Sequence, residues 1–210
     1  MKIAFINGSP KIKDSASDCV LQDLKPFVDN NIIFEYKFNK KQLILKQMKE
    51  LAECDVFVFA FPLYVDGIPS HLLNCLIQLE KFFTAIEPKE IIVYCIVNCG
   101  FYEGHQNKLA IEMMENWCEK AGIRWGEGVG IGAGGMITSL KNVPIGHGPK
   151  KNLGKVFKKL SDNILKGTSG ENIFITANFP RLLYKFAGEM GWRHLIKING
   201  LKRKDLFLKK

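Results

Sequence analysis

The sequence contains no apolar run that approaches the roughly 18 residues of a membrane-spanning helix. It also lacks a signal-peptide core, because the short apolar run Lys2–Ile6 leads at once into the polar turn Asn7–Pro10. At 210 residues, with 47% apolar and 24% charged residues, the chain suits one sizeable core and is short for two. We therefore expect one soluble domain in the cytoplasm.

Cysteine and histidine motifs for metals and redox chemistry are missing too. The six cysteines contain no C-x-x-C pair, which argues against zinc ribbons, bacterial-type iron–sulfur clusters and thioredoxin-like redox pairs. The four histidines lie in different segments, so the pattern predicts neither a metal cluster nor a Cys–His or Ser–His nucleophile pair. We expect reduced, mostly buried thiols, no metal ion and no catalytic side chain.

Acidic residues are scarce in the second half of the chain. The net charge is +9, and residues 106–210 carry 19 Lys/Arg against 8 Asp/Glu, whereas residues 1–105 carry 11 against 13. Such asymmetry is compatible with a nucleic acid, an anionic lipid or an acidic partner protein, but a lysine-rich helix face is more often a solvated surface. The charge alone therefore does not favour a nucleic-acid or membrane partner.

Strand and helix patterns alternate five times along the first two thirds of the sequence. The continuous apolar runs Asp55–Phe61 and Ile91–Val97 are typical of central parallel strands that helices cover on both faces. The remaining predicted elements are strands at Lys2–Ile6, Asn31–Phe38 and Ile123–Ile131, and helices that begin at the cap residues Ser15–Asp18 or span Leu43–Cys54, Pro69–Ile86 and Lys108–Ala121. This alternation predicts an α/β fold with a doubly wound five-stranded parallel sheet and helices on both faces.

The last third of the chain is predicted to be helical and basic. Helices are expected at Asn152–Lys166 and Pro180–Ile196. We expect a core over residues 1–145 and a C-terminal helical extension over residues 146–210, packed on the same domain.

Three loops follow predicted strands at the carboxyl edge of the sheet, where open parallel sheets bind their ligands. The first loop, residues 7–17, joins a strand to a helix N-terminus and contains one glycine, two lysines and the hydroxyls of Ser9, Ser15 and Ser17. Free N–H groups and the positive end of the helix dipole favour a phosphate there. Because G-x-x-x-x-G-K-[ST] is absent, the loop does not predict nucleoside triphosphate hydrolysis. The alternative is an ordinary turn in which serine caps the helix.

The other two loops combine aromatic residues with glycine. Residues 62–68 begin with Pro62, are followed by Pro69 and contain Tyr64 with apolar neighbours, whereas residues 98–104 contain two aromatics and two glycines. Both compositions suit the edge of a flat ring, although each loop by itself is also compatible with simple packing between elements. Cys99 is a candidate reactive thiol, but a small buried residue is the commoner role for cysteine.

A G-x-G-x-x-G match at Gly130–Gly135 does not predict a dinucleotide site. It follows the last core strand, and the next acidic residue, Asp162, comes too late for the ribose-binding position. We interpret it as a strand end and turn.

With these motifs together, the chain resembles the NAD(P)H-dependent FMN reductase-like branch of the flavodoxin-like family. The first loop resembles that family's G-S-P-[RK]…S-[NA]-[ST], residues 62–69 resemble its P-x-Y-x-x-x-[IM]-P, and Asn98–Phe101 resemble its third flavin loop. The resemblance covers roughly residues 1–135. It implies an FMN phosphate held by Ser9, Lys11, Ser15, Ala16 and Ser17, and a flavin ring held by Pro62, Leu63, Tyr64, Val65, Asp66, Gly67, Asn98, Cys99, Gly100, Phe101 and Gly104.

The resemblance also implies an activity. It points to an enzyme, an FMN-dependent oxidoreductase that takes hydride from NADH or NADPH and passes electrons to a small acceptor such as a flavin, quinone, nitro compound or metal ion. Relatives of this kind commonly form homodimers, and the apolar stretch Ile173–Phe186 is a candidate surface.

Two other functions stay open. The first is a flavodoxin-type electron carrier without nicotinamide activity, against which the net charge of +9 argues, because such carriers are usually acidic. The second is a nucleic-acid or membrane-surface module built on the basic tail, which contains Lys197, Lys202, Arg203, Lys204, Lys209 and Lys210.

Overall fold

The computed structural model describes residues 1–86, 89–202 and 204–205, so Arg203, Lys209 and Lys210 lie outside the described residues. Its strands are β1 (Lys2–Asn7), β2 (Ile32–Lys37), β3 (Val56–Pro62), β4 (Ile92–Asn98), β5 (Arg124–Ile131) and β6 (Ile173–Ile175). Its helices are α1 (Ala16–Leu24), α2 (Leu45–Ala52), α3 (Ser70–Ile86), α4 (Lys108–Ala121), α5 (Lys151–Lys166) and α6 (Arg181–Ile198). The described strands form one parallel sheet in the order β2-β1-β3-β4-β5-β6.

The central strands of the sheet are buried on both faces because they are apolar at nearly every position. Phe57 and Phe59 of β3 belong to a core that also contains side chains of α3 and α4. Val58 and Ala60 point to the opposite face and belong to a second core with side chains of α1 and α5. Successive side chains of a strand point to opposite faces, so a continuous apolar run fills two cores at once. The predicted doubly wound arrangement is confirmed.

The strand order identifies the fold class, and it adds one strand to the prediction. The order β2-β1-β3-β4-β5 is that of flavodoxin-like folds. The sixth strand, β6, extends the sheet beyond β5, with Val129 paired to Ile173 and Ile131 to Ile175. Three residues are too few for a periodic signal, which is why the sequence pattern predicted five strands.

The described chain separates into two compact units, residues 1–178 and residues 179–210. The first unit contains the sheet with α1 to α5, and the second contains α6, close to the predicted helix Pro180–Ile196. The predicted boundary after residue 145 stays a prediction. Among the described residues, no helix has both the length and the hydropathy needed to cross a bilayer.

Glu127 is an unusual residue of the sheet, because its carboxyl group is fully buried in β5. Asn163 of α5 donates a hydrogen bond to Oε2, whereas Oε1 has no partner among the described residues. Burial raises the pKa of Glu127 above its ordinary value of 4.5. The folded chain therefore keeps this proton at pH values where the unfolded chain has lost it.

We predict that Glu127→Gln stabilises the protein at neutral pH. Since the folded pKa is raised, the parent loses stability as the pH rises through about 4.5 and beyond, whereas a neutral amide has no proton to lose. Urea unfolding at a series of pH values measures the difference, which is expected to grow from pH 4 to pH 7. Glu53→Gln, at an exposed position, is the control. A Glu127→Gln curve parallel to that of the parent would contradict the raised pKa of the buried carboxyl.

Candidate functional site

The first loop is organised by the side chain of Asn7, the last residue of β1. Its Oδ1 accepts a hydrogen bond from the Ser9 N–H at 3.0 Å, and its Nδ2 donates to Ser15 Oγ at 3.2 Å. Ser15 in turn caps α1, because its Oγ accepts from the Asp18 N–H at 3.0 Å. The loop is therefore preorganised from both of its ends. Asn7 was predicted to lie in this loop, and its amide group orders both ends of it.

Three buried serine hydroxyls line this loop, at Ser9, Ser15 and Ser17. In each of their hydrogen bonds the oxygen accepts: Ser9 Oγ from the Lys11 N–H at 3.3 Å, Ser15 Oγ as described above, and Ser17 Oγ from Asn98 Nδ2 at 3.1 Å. Each hydroxyl hydrogen therefore remains available to donate to a further acceptor. Three O–H donors beside a helix N-terminus fit the oxygens of a phosphate group.

The backbone at the start of α1 adds to this donor set. The N–H groups of Ala16 and Ser17 open the helix and have no intrahelical acceptor. Lys11 is exposed in the same loop and contributes positive charge. All five residues that are predicted to contact the phosphate therefore lie in the first loop or in the first residues of α1. Their contact with a ligand stays a prediction.

The second loop presents a rigid hairpin tip. The backbone groups of Tyr64 and Gly67 are bonded to each other in both directions at 3.0 Å, and Val65 and Asp66 between them have positive φ values of 47° and 56°. Positive φ at both central residues is the signature of a type I′ turn. Val65 is 100% exposed, so the tip offers apolar area and backbone groups to a ligand from a fixed frame.

The strained conformation of Val65 leads to a prediction. A β-branched residue with φ of 47° is strained, whereas asparagine adopts this region readily. We expect Val65→Asn to raise the free energy of unfolding of the ligand-free protein by about 1 kcal/mol. Ile12→Asn is the matched control, because Ile12 is another exposed β-branched loop residue, without positive φ. Equal effects of the two substitutions in urea unfolding would contradict the strain.

The third loop divides into residues that pack inward and residues that face solvent. Cys99 is only 4% exposed, and its backbone bonds to Ile131 and Gly134 fix it to the end of β5. Burial also raises the pKa of the Cys99 thiol, which opposes a role as nucleophile. Gly100 and Phe101 are exposed. The loop is thus anchored at Cys99 and open at Gly100 and Phe101.

Gly104 closes the third loop by a very close backbone approach. A Cβ atom built there would overlap the backbone of Ile175 in β6 and of Gly130 in β5. By contrast, a Cβ at Gly100 would meet no atom within 4 Å. Gly104 therefore permits close backbone packing, and Gly100 leaves space beside the loop.

The three loops meet because β1, β3 and β4 are neighbours in the sheet. Pro62 pairs with Asn98 at the ends of β3 and β4, and the Leu63 N–H donates to the Asn98 carbonyl at 2.8 Å. The buried Asn98 side chain donates to the Phe61 carbonyl and to Ser17 Oγ, each at 3.1 Å. Asn98 therefore links all three loops through protein contacts, a role that its prediction as a flavin contact did not include.

Two further residues position these loops and were not predicted. His71 Nε2 lies 3.1 Å from the Gly8 carbonyl, so α3 supports the first loop. The buried Asn107 donates to the Gly104 carbonyl at 2.9 Å and to Cys99 Sγ at 3.4 Å. Neither residue belongs to a motif, and sequence alone offered no signal for them.

The glycine-rich stretch Gly130–Gly135 covers the end of a strand and the turn after it. Strand β5 ends at Ile131 and a short 3₁₀ helix spans Gly134–Met136, so the predicted strand end and turn are confirmed. Within residues 1–86, 89–202 and 204–205, no group of three or more histidine, cysteine or acidic side chains is arranged to hold a metal ion.

Comparison with known proteins identifies similar structures and no similar sequence. No family model matches the chain, and no curated protein matches it either. An NADH:FMN oxidoreductase in its apo form is similar at a TM-score of 0.57 and 13% identity, over 81% of this chain and 91% of that chain. An NADPH-quinone reductase from P. pentosaceus is similar at 0.56 and 15%, over 77% and 98%. A WrbA-like flavodoxin from Agrobacterium tumefaciens is similar at 0.55 and 9%, over 80% and 98%. At these identities the comparisons establish the shared flavodoxin-like fold.

Proposed function

We propose, from the flavodoxin-like fold, that the chain is an FMN-dependent oxidoreductase that takes hydride from NADH or NADPH and passes electrons to a small acceptor. The observation that carries this proposal is the junction of the three loops at the carboxyl edge of the sheet, with a phosphate-type donor set beside an exposed hairpin tip. Two of the similar structures are, by their names, an NADH:FMN oxidoreductase and an NADPH-quinone reductase.

The donor set supports FMN as the cofactor. The hydroxyls of Ser9, Ser15 and Ser17 and the N–H groups that open α1 would hold the phosphate. The hairpin tip and the exposed Gly100 and Phe101 would hold the ring. When bound, the flavin supplies the hydride and electron chemistry of the reaction.

The side chains of this site bind and orient and are not expected to exchange protons. The Cys99 thiol is buried with a raised pKa, and Asn7, Asn98 and Asn107 are neutral amides that fix the loops. Backbone N–H groups of the second and third loops would stabilise negative charge on a reduced ring. Electron acceptors are thus selected by access to the ring, and quinones, nitro compounds, free flavins and metal ions are the classes to test.

Spectroscopy tests the proposal directly. Purified protein is expected to be yellow or to become yellow on addition of FMN, and NADH or NADPH is expected to bleach it in the absence of air. Riboflavin, which lacks the phosphate, is the matched ligand and is expected to bind more weakly, whereas FAD distinguishes between the flavins. A colourless protein that takes up no FMN would refute the proposal.

The same preparation distinguishes an enzyme from an electron carrier. A carrier would accept electrons from a reductase protein and ignore both nicotinamides in stopped-flow reduction. The predicted homodimer and the cytoplasmic location stay predictions, and sedimentation velocity of the FMN-loaded protein measures the first.

A further inference from the structure

Most of the net positive charge of this protein lies in its last 32 residues. Residues 179–210 contain nine Lys/Arg and two Asp/Glu, which is +7 of the total +9. The sheet-containing unit of residues 1–178 is therefore close to neutral. A concentration of charge of this kind favours an anionic partner.

The same unit also exposes an unusual amount of apolar surface. None of the 18 residues of α6 is buried, and Leu182 and Trp192 are 81% and 70% exposed. The exposed large apolar residues of the unit are Leu182, Leu183, Phe186, Met190, Trp192, Leu195, Ile198 and Leu201. Single exposed apolar residues are ordinary, but a group of eight in 20 residues marks an interaction surface.

Basic residues recur along one side of α6. Arg181, Lys185, Arg193 and Lys197 lie four or eight residues apart, and the position between Lys185 and Arg193 is Glu189, which is ion-paired with Arg193 at 3.4 Å. Residues four apart lie on one side of a helix, so this side is mainly basic, and the exposed apolar residues occupy the other sides. Lysine and arginine place their charge at the lipid headgroups while apolar neighbours enter the acyl boundary.

We propose that α6 docks this protein peripherally on anionic phospholipid bilayers. A bilayer surface satisfies both observations at once, because its headgroups match the charge and its acyl region accepts the leucine, phenylalanine and tryptophan side chains. A nucleic acid matches the charge but offers no apolar phase for Leu182 or Met190. A second copy of the chain matches the apolar surface but brings +7 against +7. The sequence-based expectation of a solvated basic surface did not take into account that the apolar residues of α6 are exposed.

Vesicle sedimentation with the full-length protein tests this docking. We expect binding to vesicles of phosphatidylcholine with about 30% phosphatidylglycerol, little binding to pure phosphatidylcholine, and weaker binding as salt screens the headgroups. Lys185→Glu with Lys197→Glu is expected to weaken partitioning at least about 25-fold, since each basic residue contributes about 5-fold. Leu182→Ser with Phe186→Ser is expected to weaken it at least about 10-fold.

Matched controls separate docking from charge in general. Lys155→Glu with Lys158→Glu in α5 changes the net charge equally at exposed positions and is expected to leave vesicle binding within about 5-fold of the parent. The emission of exposed Trp192 is expected to shift to the blue on anionic vesicles, and Trp192→Phe is expected to remove this shift. FMN uptake is measured for each variant, so that failure of docking is distinguished from failure of the flavin site.

Three results would overturn the proposal. The first is unchanged vesicle binding by either α6 double variant. The second is duplex DNA binding that exceeds vesicle binding and ignores Leu182→Ser with Phe186→Ser, which would assign α6 to nucleic acid. The third is a dimer that dissociates in that apolar variant while the parent ignores vesicles, which would assign α6 to self-association.

Discussion

Ser17→Asp is expected to weaken FMN binding by at least about 100-fold. Ser17 is 1% exposed, its hydroxyl hydrogen is available to a ligand, and its N–H opens α1. An aspartate there removes a donor to a charged group, which costs about 1.5–3 kcal/mol, and places a carboxylate against the phosphate. Repulsion between unit charges about 4 Å apart near a protein surface adds up to about 4 kcal/mol. Fluorescence titration of the apoprotein with FMN measures the loss.

Ser161→Asp is the control for this substitution. Ser161 is also a buried helical serine, but it lies in α5 and its hydroxyl donates to the Lys158 carbonyl. Its substitution is expected to lower stability and to leave FMN affinity within a few-fold of the parent. Riboflavin adds a second comparison, because Ser17→Asp is expected to affect its binding far less than that of FMN. Equal losses for both ligands would place the phosphate elsewhere.

Gly104→Ala is expected to lower the free energy of unfolding by about 3 kcal/mol, at the upper end of ordinary overpacking. The added methyl group would overlap backbone atoms of Gly130 and Ile175, which cannot swing aside as a flexible side chain does. Relief requires β6 or the third loop to move away from β5. We therefore expect weaker FMN binding as well. Urea unfolding and FMN titration measure the two effects.

Gly100→Ala is the matched control within the same loop. A Cβ atom at Gly100 has no neighbour within 4 Å, and its φ is not in the left-handed region. The change in unfolding free energy is expected to stay within about 0.5 kcal/mol. If both alanine variants were equally stable, the third loop would not be anchored at the edge of β5 and β6.

The fold was predictable because the patterns that specify it are local and long. The helix Lys108–Ala121 has the bounds that its periodicity predicted, and the continuous apolar runs of β3 and β4 predicted two central strands. Right-handed crossovers then restrict a chain of alternating strands and helices to a few topologies. The strand β6 escaped prediction because its three residues depend on pairing with β5.

The meeting of the three loops was predictable, whereas the contacts of their individual side chains were not. Carboxyl ends of parallel strands share one edge, so three loops that follow β1, β3 and β4 had to be neighbours once the strand order was known. Within them, Asn98 and Gly104 also make contacts inside the protein that the sequence did not indicate, and their predicted contact with a ligand stays a prediction. His71 and Asn107 gave no signal, because their partners are set by packing.

The alternation of elements, the serines of the first loop and the uneven distribution of charge can all be read from the sequence, because each is a property of neighbouring residues. Which residues far apart in sequence meet is visible in the folded structure alone. Asn98 reaches Ser17 across 81 positions of chain, and Gly104 contacts β6 at a point that composition does not indicate. The folded structure also shows that the apolar residues of α6 stay exposed. The physical reason is that burial and hydrogen bonding are decided by all segments packed together, whereas periodicity reports only the face that one segment offers.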